Sequence, residues 1–234
     1  MLIVGAHAAD FVWRASGAIA LHTAAGGSAV VVALSYGERG ESGDLWLEPG
    51  QTVENVKRIR HEEAQRAADA IGASFEAFDL GDYPLRIGDE AIDRLVELIV
   101  RTVPDVILTH VAADPGNPDH PVAHAAVDLA RKLAMGAAGV PSAFPTIPPP
   151  DVFLFEPHQP ELSGFFPNTF VDITPVLDRK NEAMAAMASQ SYLREHYRAR
   201  ASQRAAQARY AGVGKEVTAV EAFQRITPEV RARL

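Results

Sequence analysis

The chain has 234 residues, 47% of them hydrophobic and 22% charged, and these ordinary globular values exclude a disordered ground state. Its net charge of -8 disfavours nucleic acid or an anionic membrane surface as a partner. Cysteine is absent, which excludes disulfides, thiolate metal sites and cysteine nucleophiles, and we expect a soluble cytoplasmic protein.

Short apolar runs alternate with helical patterns through the first two-thirds of the chain. The patterns predict strands at 2–6, 29–34, 75–78 and from 106, and helices at 13–25, 52–71, 89–103 and 120–134. Strands that alternate with helices in this way are typical of an α/β fold. We therefore predict a mostly parallel sheet with helices on both faces.

The last third of the chain breaks this rhythm. A Pro-rich stretch at 141–150 predicts a loop, and strands are predicted at 152–155 and 169–173. Thr174 and Pro175 predict a helix start, followed by a helical pattern to about Gly212 and a last short helix at 221–224. We predict one α/β domain over residues 1–234, with a helical C-terminal part from about residue 175.

Polar loops follow three of the predicted strands. His7 and Asp10 come after the first strand, a Gly- and Glu-rich loop at 36–43 after the second, and His110 and a loop ending in His120 after the fourth. Open α/β sheets bind ligands beyond the carboxyl ends of their strands, so we expect these loops to converge on one site.

His7, Asp10 and His120 would form a set of two imidazoles and one carboxylate. Such a set suits Zn²⁺ with an open coordination position, and it also suits Fe(II). Another pair, His120 and His124, is spaced i, i+4 on a predicted helix and would share one helix face. In the alternative without a metal, His7 is a hydrogen-bonded loop residue and Asp10 caps the following helix.

The order of these motifs resembles the N-acetylglucosaminyl deacetylase superfamily, the PIG-L/LmbE-like proteins. The resemblance covers most of the chain and includes RHEEAQRAADAIG at 60–72 and VEAF at 220–223. It implies a Rossmann-like α/β fold and a zinc site formed by His7, Asp10 and His120. It also marks where this chain departs from the family's hydrolytic pattern.

Three positions depart from that pattern. The family's catalytic base is the first Asp of its first motif, and Ala9 occupies that position here. Phe11 replaces the Glu that follows the zinc-binding Asp, and Asn117 replaces the first His of the second motif. Because an alanine side chain cannot accept a proton, this pattern indicates a retained metal site without the family's hydrolytic base.

Within this family the chain is similar to the 4-oxalomesaconate hydratases of gallate and protocatechuate degradation. The stretches that carry this resemblance are AHAADFVWRASGAIA, YGERGESGDLW, VENVKRIRHEEA, AFDLGDYPLR, NPDHPVAH, FLFEPHQPE and MAAMASQSYLREHY. The resemblance implies addition of water to the double bond of a tricarboxylate, giving 4-carboxy-4-hydroxy-2-oxoadipate. It also implies a homo-oligomer.

A hydratase without the carboxylate at position 9 needs another general base. Our first candidate is Glu48, because burial beside Trp46 would raise its pKa; Glu38 and Glu41 compete for the role. His158 is the candidate to return a proton to carbon or to hold a carboxylate. The residues predicted to bind the anionic substrate are Arg39, Arg58, Arg60 and Asn117.

Two other functions compete with the hydratase. The first is a zinc amidohydrolase such as an N-acetyl sugar deacetylase, which needs a substitute base because of Ala9. The second is a non-catalytic metal- or sugar-binding module, in which Ala9 and Asn117 would reflect the loss of catalytic residues. Such a loss does not readily leave His7, Asp10 and His120 in place together.

Overall fold

The computed structural model describes residues 1–136, 146–230 and 233. In chain order the strands are β1 (Leu2–Gly5), β2 (Val30–Ala33), β3 (Ser74–Ala77), β4 (Val106–Thr109), β5 (Asp151–Phe155), β6 (Thr169–Asp172) and β7 (Val220–Arg225). The helices are α1 (Asp10–Ala24), α2 (Gly43–Trp46), α3 (Val53–Ala70), α4 (Asp89–Thr102), α5 (Asp119–Ala134), α6 (Leu177–Ala186) and α7 (Leu193–Ala208).

All seven of these strands lie in one sheet, in the order β3-β2-β1-β4-β5-β7-β6. The first five strands pair in parallel, and β7 pairs antiparallel with both β5 and β6. Parallel pairing brings the carboxyl ends of β1, β2, β4 and β5 to the same edge of the sheet. This confirms the predicted mostly parallel α/β fold.

Side chains of the central strands alternate between two apolar layers. On one face of the sheet, Ile3 and Val31 pack against residues of α1, α3, α6 and α7. On the other face, Leu2, Val4 and Val32 pack against α4 and α5. Such alternation follows from the two-residue period of a strand. Helices therefore cover both faces, and the carboxyl edge stays open to the loops.

The long helical pattern predicted near the C-terminus forms two helices, α6 and α7, because side chains of α3 form hydrogen bonds with the segment between them. The backbone N–H of Ser189 donates to Glu63 Oε1 at 2.8 Å, and the Ser189 hydroxyl donates to Glu63 Oε2 at 2.5 Å. Arg60 donates to Ser189 and to the side chain of Gln190. These long-range bonds fix a short 3₁₀ turn at Ala188–Gln190 where local propensity favours a continuous helix.

The predicted short helix at 221–224 is wrong, because these residues belong to strand β7. Both edges of β7 are paired, and Glu221 accepts hydrogen bonds from the N–H groups of Gly17 and Ala18 and from Lys180. Pairing with β5 and β6 thus decides the secondary structure of a segment whose local sequence does not clearly favour helix or strand.

The Pro-rich loop predicted at 141–150 falls partly outside the described residues, since 141–145 are not among them. Residues 146–150 have no regular secondary structure. No helix in the described ranges is both long and apolar enough to cross a membrane. The assignment of residues 1–234 to one domain stays a prediction.

Candidate metal centre and active site

Four side chains that favour metal ions converge at the carboxyl edge of the sheet. His7, Asp10, Glu41 and His120 each offer one nitrogen or oxygen atom, and these four atoms lie within 4.8 Å of one another. His7 and Asp10 follow β1, Glu41 follows β2, and His120 lies in the first turn of α5. The structure thus brings the three predicted ligands together and adds Glu41.

The β1–α1 connection fixes His7 and Asp10 against each other. The backbone N–H of His7 donates to Asp10 Oδ2 at 2.8 Å, and Asp10 starts α1. Gly5 lets the aspartate approach, since a Cβ at this position would lie 2.9 Å from the Cβ of Asp10. The short His-x-x-Asp spacing therefore produces a rigid pair of ligand atoms.

Carboxylates behind the two histidines orient their rings. His7 Nε2 lies 3.1 Å from Asp119 Oδ2, and His120 Nδ1 lies 2.8 Å from Asp114 Oδ2. The other ring nitrogens, His7 Nδ1 and His120 Nε2, are buried and make no hydrogen bond of good geometry within the described residues, although Glu41 Oε1 and Asp10 Oδ1 lie 3.1 Å and 3.5 Å from them. Metal-binding histidines characteristically donate their outer N–H to a carboxylate and leave the inner lone pair free. The two inner nitrogens therefore fit a metal ion.

Glu41 is held beside His7 by its loop and by Asn117. Gly37 starts this part of the loop with φ of +71°, a conformation that favours glycine. Glu41 Oε1 lies 3.1 Å from His7 Nδ1 and accepts a hydrogen bond from the Asn117 amide at 3.1 Å. Asn117, predicted to bind substrate, thus contacts the carboxylate of Glu41 directly.

The buried carboxylates make this site favourable for a cation. Burial opposes protonation of His7, but Glu41, Asp119 and Asp10 together hold its pKa well above the usual value. Burial likewise disfavours the carboxylate of Glu41, yet His7 lowers its pKa to about 2. A divalent cation would neutralise the same carboxylates, and the chemistry of this donor set fits Zn²⁺.

His110 lies behind the site and is engaged by the backbone. Its Nε2 accepts the N–H of Ala6 at 3.0 Å, and its ring stacks on His120 with a centroid distance of 3.9 Å. Burial lowers its pKa to about 3, so the ring is neutral at pH 7. His110 supports the rings in front of it and does not join the four-atom cluster.

His158 lies beyond the metal-favouring cluster, on the loop after β5. Its Nδ1 lies 3.1 Å from the hydroxyl of Tyr197, and its carbonyl accepts a hydrogen bond from Arg200. Burial, and then the charge of Arg14, lowers the pKa of His158 to about 4. Burial raises the pKa of Tyr197 to about 12. Near neutral pH His158 is therefore neutral, and the phenol of Tyr197 carries a proton to donate.

Glu48 does not have the environment that its predicted role requires. The residue is exposed in the loop after α2, next to Leu47, which is 82% exposed, and it is not in the four-atom cluster. The indole of Trp46 donates to the carbonyl of Glu38. Glu48 therefore lacks the buried setting that its predicted role requires, and Glu41 is the carboxylate at the four-atom cluster.

Two of the predicted substrate-binding arginines have other partners. Arg60 is fully buried, and it donates to the carbonyl of Tyr36 and to the side chains of Glu63, Ser189 and Gln190. Arg58 is exposed on the other side of α3 and pairs with Glu62 at 2.6 Å. The structure therefore gives Arg60 a structural role and places Arg58 at the surface.

Two further predicted candidates lie near the site. Arg39 is exposed on the same loop as Glu41, and its backbone N–H donates to Asp82 at 2.9 Å. His124, the alternative ligand, has its Nδ1 2.8 Å from the carbonyl of His110 and is not in the four-atom cluster. Arg39 thus remains a candidate for substrate binding, and His124 contacts the backbone behind the site.

Several residues at the site escaped the sequence analysis. Asp114 and Asp119 shortly precede His120 in the chain, and that proximity was the available signal. Arg14 follows Asp10 by one helical turn, which places both on one face of α1. No local pattern points to Tyr197, because 39 positions separate it from His158.

Known proteins resemble this chain in sequence. Residues 2–131 match the family described as PIG-L: GlcNAc-PI de-N-acetylase. The whole chain is 44% identical to a 4-oxalmesaconate hydratase of Pseudomonas putida KT2440, over 91% of that protein.

Solved structures give the same relationship. The crystal structure of GalB, the 4-carboxy-2-hydroxymuconate hydratase of Pseudomonas putida KT2440, superposes with a TM-score of 0.96 at 44% identity, covering 100% of this chain and 98% of that chain. The N,N'-diacetylchitobiose deacetylase of Pyrococcus horikoshii superposes with a TM-score of 0.79 at 18% identity, covering 96% and 82%. The latter likeness concerns the fold alone.

Proposed function

The chain belongs to the PIG-L family of GlcNAc-PI de-N-acetylases, and we propose that within this family it is a hydratase acting on 4-oxalomesaconate, also described as 4-carboxy-2-hydroxymuconate. The observation that carries the proposal is the 44% identity to a hydratase over the entire chain. The deacetylase with the same fold shares only 18% of its residues with this chain.

The residue at position 9 supports the same choice. Ala9 is fully buried at the start of α1, one residue before Asp10. The family resemblance places the hydrolytic base at this position, and a buried methyl group cannot accept a proton. The family match itself favours a deacetylase as the second candidate, which would need a base from elsewhere at the site.

We infer that His7, Asp10 and His120 hold a Zn²⁺ ion, with the carboxylate of Glu41 beside it. When bound, the ion supplies Lewis acidity that stabilises negative charge developing on a substrate oxygen. Asp119 and Asp114 keep the outer nitrogens of the two histidines occupied, so the inner nitrogens stay turned to the ion.

Glu41 is the proposed general base. Its carboxylate is ionised, held by Asn117, and lies 3.1 Å from His7 Nδ1 at the edge of the cluster. It accepts a proton from water as the water oxygen bonds to the substrate carbon that carries the branch carboxylate. The electron pair of the carbon–carbon double bond moves to the neighbouring carbon.

His158 is the proposed group that delivers a proton to this neighbouring carbon. Donation from the Tyr197 hydroxyl to Nδ1 leaves the His158 proton on Nε2. As Nε2 gives its proton to the carbon, Nδ1 takes the hydroxyl proton of Tyr197, so the imidazole stays neutral. The proton on Glu41 then returns to the Tyr197 oxygen through solvent, which completes the addition of water across the double bond with no net oxidation or reduction. Tyr197 and Arg200 hold the imidazole in place, and Arg39 is proposed to contact a carboxylate of the substrate.

One assay separates the candidate functions. The zinc-loaded protein is incubated with 4-oxalomesaconate and, separately, with N-acetylglucosamine, and products are identified by NMR. We expect 4-carboxy-4-hydroxy-2-oxoadipate from the first substrate and no acetate from the second. Acetate release without hydration would overturn the proposal, and inactivity with both would favour a binding module. His7→Ala is the matched control, since it should lose metal and hydration together.

Three further proposals rest on the resemblance drawn from the sequence. The reaction belongs to gallate and protocatechuate degradation, the protein is cytoplasmic, and it is a homo-oligomer. Analytical ultracentrifugation measures the last of these, and a monomer at assay concentration would contradict it.

A further inference from the structure

A substrate with three carboxylates needs cationic partners, and most buried arginines of this chain are fully engaged. Arg60 is bonded on all three guanidinium nitrogens. Arg204 is also bonded on all three guanidinium nitrogens, to Glu156 and Gln207. Arg200 is only half-buried and is already bonded to Glu156 and to the carbonyl of His158. Among the described residues, Arg60 and Arg204 therefore have no guanidinium nitrogen left without a hydrogen bond.

Arg14 differs from these arginines in its unused donors. Its side chain is 2% exposed, and in the described part of the chain it donates one hydrogen bond, from Nη1 to the carbonyl of Glu156 at 3.1 Å. Its Nε is buried, makes no hydrogen bond to the residues that the structure describes, and lies 3.5 Å from Asp10 Oδ1. A guanidinium group has five N–H donors, so most of its binding capacity is unused.

Arg14 lies between the metal-favouring cluster and the loop that carries His158. On one side it adjoins Asp10, a proposed metal ligand. On the other side its Nη1 bonds the carbonyl of Glu156, two residues before His158, and Arg14 lines one cavity with Tyr197. We therefore expect a double bond that reacts between Glu41 and His158 to lie close to this guanidinium group.

We propose that Arg14 determines substrate specificity by binding the branch carboxylate of the tricarboxylate substrate. This inference rests on the proposed function. The branch carboxylate is carried by the carbon that receives water, so a residue that binds this carboxylate also holds the reacting carbon beside the cluster of His7, Asp10, Glu41 and His120. A planar guanidinium with free donors suits a carboxylate in two-point contact.

Binding of two inhibitors to the zinc-loaded protein tests this role without turnover. Tricarballylate carries a branch carboxylate, and glutarate is the same chain without it. Calorimetry should show tricarballylate binding about 10- to 100-fold more tightly than glutarate to the wild-type protein, the range for a hydrogen-bonded charge pair. Arg14→Gln should abolish this difference while glutarate binding changes less than about threefold and zinc content stays the same.

Matched variants keep the test decisive. Arg14→Lys keeps the charge without the two-point geometry, so it should retain only part of the preference for tricarballylate over glutarate. This variant replaces Arg14→Gln in the test if the Gln variant does not fold. Arg58→Gln, at the exposed surface of α3, should leave the preference unchanged. Equal weakening of both ligands in the Arg14 variants, or no preference in the wild type, would overturn the proposal.

The proposed function is tested separately by hydration of 4-oxalomesaconate. A wild-type protein that prefers tricarballylate through Arg14 but does not hydrate 4-oxalomesaconate would keep the specificity role and remove the hydratase. A protein that hydrates the substrate with an unchanged ligand preference in Arg14→Gln would keep the hydratase and remove the role of Arg14.

Discussion

The Nδ1 atom of His120 lies 2.8 Å from Asp114 Oδ2, while its Nε2 is buried and makes no hydrogen bond to any described residue. Asp114 is itself anchored, since its Oδ1 accepts the N–H of Gly116 at 3.0 Å. The loop before α5 thus carries both an imidazole and the carboxylate that sets its tautomer. The arrangement predisposes one nitrogen of His120 to bind a metal ion.

Asp114→Asn should weaken zinc binding about 10- to 100-fold, because an amide orients the imidazole less well and does not raise its basicity. Competition with a chelator of known affinity measures the change. Asp128→Asn on the outer side of α5, where the carboxylate pairs with Arg131 and Lys132, is the matched control. Equal zinc affinity of both variants would contradict the role of Asp114.

Glu41→Gln should lower kcat about 10²-fold or more, the usual effect of removing a positioned general base. His7, Asp10 and His120 remain, so we expect the variant to retain zinc, as measured by atomic absorption. Glu48→Gln changes an exposed carboxylate of the following loop and should stay within a few-fold of wild type. The opposite ranking of the two variants would return the base to Glu48.

Arg60→Met should destabilise the fold by about 3–5 kcal/mol, because it leaves the buried Glu63 carboxylate without its cation and releases the turn at Ala188–Gln190. Arg58→Met, two residues away on the exposed side of α3, should change the free energy of unfolding by less than about 0.5 kcal/mol. Urea unfolding followed by circular dichroism measures both. Similar losses for the two variants would contradict the structural role of Arg60.

The lowered pKa of His158 predicts a specific pH dependence of stability. Between pH 6.5 and about 4 the unfolded chain binds a proton at His158 that the folded chain does not bind. The free energy of unfolding therefore falls as the pH falls through this window, by up to about 1.4 kcal/mol per pH unit from this group. Urea unfolding of metal-free protein should show a shallower decline for His158→Gln, and identical slopes would contradict the lowered pKa.

Ala9→Asp should lower hydration. The new carboxylate would be buried beside Asp10, close to the other carboxylates of the site, and would repel an anionic substrate. Steady-state hydration of 4-oxalomesaconate measures the effect, with acetate release from N-acetylglucosamine assayed in parallel. A substantial rise in the hydration rate would show that Ala9 does not serve to admit the substrate.

The sequence by itself determined the layered architecture and the place of the site. Alternating apolar and helical patterns identify the parallel strands, and parallel strands bring their carboxyl ends to one edge. His7, Asp10 and His120 lie directly after β1 or at the start of α5, so strand order alone brings them near one another. The sequence was sufficient to predict where these three residues lie, because each of them closely follows a strand or begins the next helix.

Tertiary structure decided which other side chains join them. Glu41 and Glu48 lie on adjacent loop segments, and only the contacts with His7 and Asn117 distinguish the buried carboxylate from the exposed one. Arg58 and Arg60 lie on one helix, yet a two-residue step turns one side chain to water and the other to the turn before α7. Strand β7 and the pairing of His158 with Tyr197 likewise depend on partners far along the chain. Burial and long-range hydrogen bonds are properties of the folded chain, and no local pattern encodes them.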